Sequence, residues 1–279
     1  MREASKRSPA ATPTVSTETD LNQPLSPAMS NVNNFIGGSF VPAVSRQTID
    51  NINPATGEKY SSIPDSDRHD IDQAVAAAKE AYPRWSRLSV QERAACLNKV
   101  ANLIEQKLDS LALAESIDNG KPVALARTVD IPRAAENFRF FAERIGTFFD
   151  ENHLDEKKGI VSAVKRDPIG VVGCISPWNL PLYLLTWKIA PALAAGNCVV
   201  AKPSELTPMT ASMLGEIFQE AGVPAGVFNV VHGYGSKAGA ALCAHPDIKA
   251  ISFTGGTKTG TEVKAVAEQL GKKVTLELG

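Results

Sequence analysis

The sequence predicts an α/β protein: a parallel sheet with helices on both faces, preceded by a helical segment. Two observations carry this. Before about residue 160, three stretches place apolar residues at helical spacing with no strong strand signal between them. After it, short β-branched runs alternate with helical stretches, the pattern of strands joined by crossover helices. Composition agrees with a globular chain. Of 279 residues, 43% are hydrophobic and 21% charged, enough to bury a sizeable core. The net charge of -1 argues against a nucleic-acid or membrane-surface role. The longest apolar run, Leu180 to Cys198, is broken by Lys188, Pro191 and Gly196 and is not a membrane span. The four cysteines, Cys96, Cys174, Cys198 and Cys243, show neither CxxC nor metal-ligand spacing. They are expected to be reduced thiols of an intracellular protein, and no metal is expected.

Taken in order, residues 1–34 are rich in Ser, Thr, Pro, Ala and Asn and lack hydrophobic periodicity, so they are expected to be a disordered extension. Arg2, Lys6 and Arg7 hint at a transit peptide, but Glu3, Glu18 and Asp20 speak against one. A cytoplasmic location is expected, with a mitochondrial one left open. Residues 35–279 are expected to form one domain. FIGGSFVPA reads as a hairpin turning on its Gly-Gly pair, and Asn53 to Gly57 as a turn. Asp70 to Tyr82 reads as a helix stopped by Pro83. Ser89 and Glu92 form a capping box opening a long helix towards Ile117, stopped by Asn119-Gly120. Pro122 to Phe149 reads as helix broken at Pro132. Strands are expected at 160–165, 170–175, 198–202, 227–231, 250–253 and 273–278, with helices at 207–221, 236–244 and 257–270. In such sheets ligands bind beyond the carboxyl ends of the strands.

Four groups sit at those ends. Ser176-Pro177-Trp178-Asn179 follows a strand directly, and the Asn179 amide suits a developing oxyanion, though an ordinary turn asparagine would look the same. Lys202-Pro203-Ser204-Glu205 follows another. A carboxylate there can accept from both ribose hydroxyls and would repel a 2'-phosphate, which favours NAD over NADP. A solvated charge pair is the alternative. The run from Phe253 through Thr254, Gly255 and Gly256 to Gly260 joins a strand to a helix, where glycines and free N–H groups suit a pyrophosphate. It is not the GxGxxG fingerprint, and a plain tight turn would also fit. Gly233-Tyr234-Gly235 is a weaker relative of it. Glu277 lies in an otherwise apolar strand, where a carboxylate is costly unless it has work or a partner, and general-base duty is the work expected. A strand-end acid facing water is the alternative.

In this order and spacing, SPWNLPLYLLTWKIAPALAAGNCVVAKPSELTP, FTGGTKTG and the closing LELG resemble the aldehyde dehydrogenase superfamily over Phe35 to Gly279. ARTVDIPRAAENFRFFAERIG looks most like the branch that oxidises 2-aminomuconic and hydroxymuconic semialdehydes. The resemblance implies a Rossmann-like NAD domain corresponding to the N-terminal part of such an enzyme. It implies that Asn179 is the oxyanion-hole amide and Glu277 the general base. Ser176, Trp178, Lys202, Ser204, Glu205, Gly235, Thr254, Gly255 and Gly256 would contact NAD. Arg133, in the IPRAAENF helix, would hold the carboxylate of a semialdehyde substrate; a surface arginine is the plain alternative. The family mechanism implies a cysteine thiolate that attacks a small-molecule aldehyde, hydride transfer to NAD, and hydrolysis of the thioester. The full-length form would be a homo-oligomer, dimer or tetramer.

Two departures stand out. The family usually has serine where this chain has Gly256, so one hydroxyl contact is missing. None of the four cysteines lies in the family's nucleophile motif, which comes after LELG, so the chain alone is expected to be inactive. A nucleotide-binding chain that regulates full-length subunits without turnover is the competing reading.

Overall fold

The computed structural model describes residues 32–148, 151–155 and 158–279. The extension expected over residues 1–34 falls outside the described residues up to residue 31. Its last residues are part of the fold. Val32 is buried, and Asn34 is fully buried as the first residue of strand β1 (Asn34–Ile36). The Asn34 side chain donates to Ser66 Oγ at 2.8 Å and accepts from the His232 amide at 2.8 Å. The sequence reading put it in the disordered extension because asparagine there continues a polar run without hydrophobic periodicity; here its two-sided amide bridges a loop and a strand end.

β1 turns on Gly37 and Gly38, both at positive φ (57° and 79°), into β2 (Ser39–Val41), as the Gly-Gly pair predicts. The Asn53–Gly57 turn joins a second hairpin that the sequence reading passed over, β3 (Thr48–Ile52) and β4 (Lys59–Pro64).

Helix α1 (Arg68–Trp85) opens on a reciprocal cap between Asp67 and Asp70. Pro83 does not stop it. The helix runs on to Trp85, whose fully buried ring donates to the Leu193 carbonyl at 3.2 Å, and this anchor outweighs the lost backbone bond. The predicted capping box opens α2 (Val90–Gln106): Glu92 accepts from the Ser89 amide at 2.7 Å and Ser89 Oγ from the Glu92 amide at 3.2 Å. The single helix expected to reach Ile117 is two. Lys107 leaves helical geometry (φ -98°, ψ 18°), and α3 (Leu108–Asn119) follows, capped by Gly120 at φ 80°. Pro132 breaks nothing either. Short α4 (Val123–Leu125) passes through a π-helical turn at Ala126–Asp130 into α5 (Ile131–Ile145), where Pro132 occupies the first turn and needs no donor.

Among the described residues the main sheet has seven strands in the order β11-β10-β7-β8-β9-β1-β2. Five are parallel: β7 (Val171–Ile175), β8 (Cys198–Lys202), β9 (Phe228–Val230), β10 (Ile248–Gly255) and β11 (Lys273–Leu278). The β1–β2 hairpin extends them antiparallel at β9. The run 160–165 is a strand but not of this sheet: among the described residues β6 (Ile160–Val164) pairs only with β5 (Glu151–Asp155), and its side chains are exposed. Its β-branched residues fit a pleated surface without a core beneath it. The apolar stretch after Asn179 is a helix, α6 (Pro181–Ala194). It packs on one sheet face with α7 (Met209–Glu220), backed by α2 and α5. α1, α8 (Ala240–Ala244) and α9 (Thr257–Gln269) cover the other. The aromatic centre of the core is Phe218 stacked on Phe228, ring centroids 4.2 Å apart. Among the described residues no helix is long and apolar enough to cross a membrane.

Candidate active-site cleft

β7 is flanked by β8, the next strand in the chain, and by β10, the third strand after it. The winding direction therefore reverses at β7, and the loops beyond its end and that of β10 diverge to leave a crevice. Ser176–Asn179 leave one strand end and Gly255–Gly256 the other, so topology brings two of the four predicted groups together.

On the α8/α9 face lies a cleft of about 500 Å³, floored by Ile175 and Phe253 and lined by Glu205, Gly235, Thr259 and Glu262. Lys202 ends the fully buried strand β8 and reaches Glu205 across three residues, Nζ to Oε2 2.8 Å. The lysine is 3% exposed. Burial pulls its pKa below the ordinary lysine value, and the Glu205 carboxylate opposes that shift. The pair sits at the cleft, not in open solvent. A Cβ at Gly235 or Gly256 would meet nothing within 4 Å, so both leave room for a ligand. Gly255 is glycine for another reason: a Cβ there would stand 2.5 Å from the Phe253 ring.

The other predicted cofactor residues divide. Among the described residues Ser176 Oγ is buried without a hydrogen-bond partner, and Trp178, two residues on, is 56% exposed. Ser204 Oγ accepts from the Leu206 amide at 3.3 Å and shapes its own turn. Thr254 projects to the opposite sheet face from Phe253, as alternation along a strand demands, and its hydroxyl donates to Glu277 Oε2 at 2.6 Å.

That opposite face holds a second hollow, about 410 Å³, lined by Cys174, Trp187, Lys188, Ser252, Thr275 and Glu277. Glu277 is not enclosed as its apolar strand suggests, for its side chain is 41% exposed. β11 is an edge strand, so alternating apolar residues do not bury what lies among them. Glu277 has partners instead: Thr254, and Lys188 Nζ at 3.4 Å. Lys188 comes from α6 with its side chain 1% exposed, and it also reaches Ser252 Oγ at 3.4 Å. Burial lowers its pKa, with Glu277 pulling the other way. The sequence reading treated Lys188 only as an interruption of an apolar run. A lone lysine in such a run was itself the signal, since burying it demands a partner. Cys174 lines the same hollow, but burial pushes its thiol up to about 12, which leaves no thiolate to attack.

Asn179 and Glu277 lie at the ends of β7 and β11, with β10 between, so about 10 Å separates their strands. Among the described residues the Asn179 amide has no hydrogen-bond partner, while its carbonyl accepts from Lys121 Nζ at 3.2 Å. Arg133 lies on α5 against α6. It pairs with Glu136 at 2.6 Å, donates to Tyr183 Oη at 3.5 Å and holds its guanidinium 5.5 Å from the Tyr183 ring centroid. Hydrogen bonds to Tyr183 and Glu136 raise its pKa above the usual value. Among the described residues no cluster of His, Cys, Asp and Glu could hold a metal ion.

The family model described as "Aldehyde dehydrogenase family" matches residues 40–279. Human 2-aminomuconic semialdehyde dehydrogenase is 52% identical over 246 residues, covering 88% of this chain and 50% of that protein. The 2-hydroxymuconic semialdehyde dehydrogenase of Pseudomonas sp. (strain CF600) is 46% identical over 256 residues, covering 90% and 53%. Among solved structures, the NAD+ complex of an aldehyde dehydrogenase from Bacillus cereus superposes with a TM-score of 0.87 at 39% identity, covering 90% of this chain and 51% of that one. The chain thus spans about half the length of the curated relatives it matches. With the match running through every strand of the parallel sheet and both sides of the crevice, this chain belongs to the aldehyde dehydrogenase family.

Proposed function

We propose that residues 35–279 form the NAD-binding domain of an enzyme that oxidises an aldehyde, of the muconic-semialdehyde type, to its acid. The observation that carries the reading is the buried Lys202 held by Glu205 at the cleft. Lys202 and Glu205 would hold the adenosine ribose, with Gly235 and Gly256 leaving space for adenine and pyrophosphate. The free N–H groups at the start of α9 favour a phosphate. NAD, when bound, supplies the hydride acceptor. The chain's own part is to present the Asn179 amide to the aldehyde oxygen and to hold Glu277, fixed by Thr254 and Lys188, where it accepts a proton from the nucleophile or from water. Arg133, beside Tyr183, would take the carboxylate of the substrate. Burial raises the thiols of Cys174 and Cys198 to about 12 and that of Cys243 to about 11, and raises that of Cys96 too, so the reading assigns the nucleophile to none of them. The chain alone is then expected to bind NAD without turning over an aldehyde.

Calorimetric titration with NAD and NADP tests the cofactor half. The chain should bind NAD at least tenfold more tightly than NADP, because the Glu205 carboxylate repels a 2'-phosphate. Glu205→Gln should weaken NAD binding by about tenfold, the worth of a hydrogen bond to a charged group, and narrow the discrimination. Equal affinity for the two cofactors in the unaltered chain would sink the reading.

A further inference from the structure

The loop that carries Asn179 is held from outside its own elements. Asn119, the last residue of α3, donates its side-chain amide to the Trp178 carbonyl at 2.6 Å. Lys121, two residues on, donates its ammonium to the Asn179 carbonyl at 3.2 Å. Between them Gly120 adopts φ 80°, a left-handed conformation that turns the chain back, so residues either side of it reach one loop. Lys121 is itself fixed. Its side chain is 8% exposed, bound to Asp130 at 2.5 Å and 3.7 Å from Glu115, both fully or almost fully buried. Glu115 also accepts from the Leu182 amide at 3.4 Å, in the first turn of α6. Three backbone groups in a run of five residues, at Trp178, Asn179 and Leu182, are therefore tied to one turn at the end of α3. An exposed loop of Pro, Trp and Asn has no such rigidity of its own.

We propose that Asn119 and Lys121 are positioning residues that clamp the backbone on either side of Asn179, so that its amide is set before a substrate arrives. The proposal rests on the oxyanion role given to Asn179 above. An oxyanion donor stabilises developing charge only if it needs no reorganisation at the moment of reaction, and a backbone held at two successive carbonyls meets that requirement. The buried Asp130 and Glu115 serve the clamp by holding the ammonium in place, since a charged donor alone in that interior would be too costly to keep.

Hydrogen–deuterium exchange on the chain as given tests this without cofactor or turnover. The reporters are the amides of Ser176, Leu182 and Leu184, bonded at 3.3, 3.4 and 2.9 Å on either side of the loop. Asn119→Ala, which leaves no buried charge behind, should speed their exchange tenfold or more while the amides of β8 keep their rates. Lys121→Met should do the same or more, and Lys121→Arg, which keeps a cation and several donors, should restore most of the protection. Because Trp178 stands exposed in the loop, its emission should become more accessible to acrylamide in Asn119→Ala and Lys121→Met and return in Lys121→Arg. Unchanged exchange at the three reporters in Asn119→Ala and Lys121→Met overturns the clamp, as does equal acceleration throughout β8 in Asn119→Ala. A chain that fails to bind NAD would strike the cofactor reading and still decide the clamp, because the exchange experiment involves no ligand.

Discussion

Arg133 shows how one side chain can be paired and still available. Its bond to Glu136 joins two exposed groups, 43% and 59% accessible, and such surface pairs contribute at most about 1 kcal/mol. The contact with Tyr183 is of a different kind: the ring holds the guanidinium plane and the hydroxyl takes one donor at 3.5 Å, which leaves the other N–H groups to another acceptor. A carboxylate that arrives can exchange with Glu136 and keep the tyrosine. In a catalytically active protein carrying these residues, Arg133→Ala should raise KM for a semialdehyde bearing a carboxylate about tenfold, the loss of a charge-assisted bond, and leave a neutral aldehyde within about twofold. Initial rates with the two aldehydes decide it, and equal losses on both remove the role. At this scale the sequence showed residue types better than surroundings. Lys202 and Glu205 were readable because they stand three positions apart and a buried-type strand ends at the lysine. The setting of Glu277 was not, because an alternating strand looks the same at the edge of a sheet as in its middle. Lys188 was visible as a letter, but its partners lie 64 and 89 residues away.

At the scale of elements, α3 does more than pack. Its two buried carboxylates each meet the start of another helix: Glu115 accepts from Leu182 in α6, and Asp118 from Met209 in α7 at 2.6 Å. They satisfy amides that the helices themselves leave unbonded and place negative charge at positive helix ends. The cost is burial, which raises the Glu115 pKa to about 7 and that of Asp118 to about 6 despite these bonds. A carboxyl whose folded pKa lies above its unfolded value contributes stability that is complete below the unfolded value and is lost as pH rises through the folded one. The fold should therefore lose stability between about pH 4 and pH 7 through these two groups. His232, fully buried and pushed down to about 3, acts in the opposite sense, since its contribution is lost as pH falls from the unfolded histidine value. Urea unfolding of the chain and of Glu115→Gln across pH 5 to 8 separates them. The unaltered chain should lose on the order of 2 kcal/mol relative to the variant over that range, and parallel curves would show that Glu115 titrates normally. Elements with local signals were readable: the Ser89–Glu92 capping box, the Gly37–Gly38 turn and the Gly120 stop. The break at Lys107, the passage through Pro83 and the π-helical turn before Pro132 were not, because a buried Trp85 and the aim of α3 decide them across the fold.

For the molecule as a whole, the two faces of the sheet are finished differently. The α8/α9 side closes over a cleft with charged and glycine walls. The side of α6 leaves β10 and β11 uncovered, and a hollow with Trp187, Cys174 and Glu277 in its walls opens there. Among the described residues β11 has a strand partner on one side only, with Thr275 and Leu278 exposed along it, Leu278 by 45%. Phe140, on α5, adds another exposed ring at 43%. An unpaired strand edge next to open apolar surface is a template for association. Topology was the part of this that the sequence disclosed, since alternating strands and helices imply the parallel order. Which face stays open was not disclosed, because it depends on what neither α6 nor α9 reaches. The isolated chain should therefore self-associate as its concentration rises. Thr275→Lys, which puts a charge on the exposed edge beside Glu277, on the sheet face away from the α9 cleft, should shift the equilibrium several-fold towards monomer. Sedimentation velocity over a hundredfold range of concentration measures this, with NAD titration as the control for an intact cleft. A chain that remains monomeric throughout, or a variant that associates as readily, would place the surface that governs association elsewhere than β11.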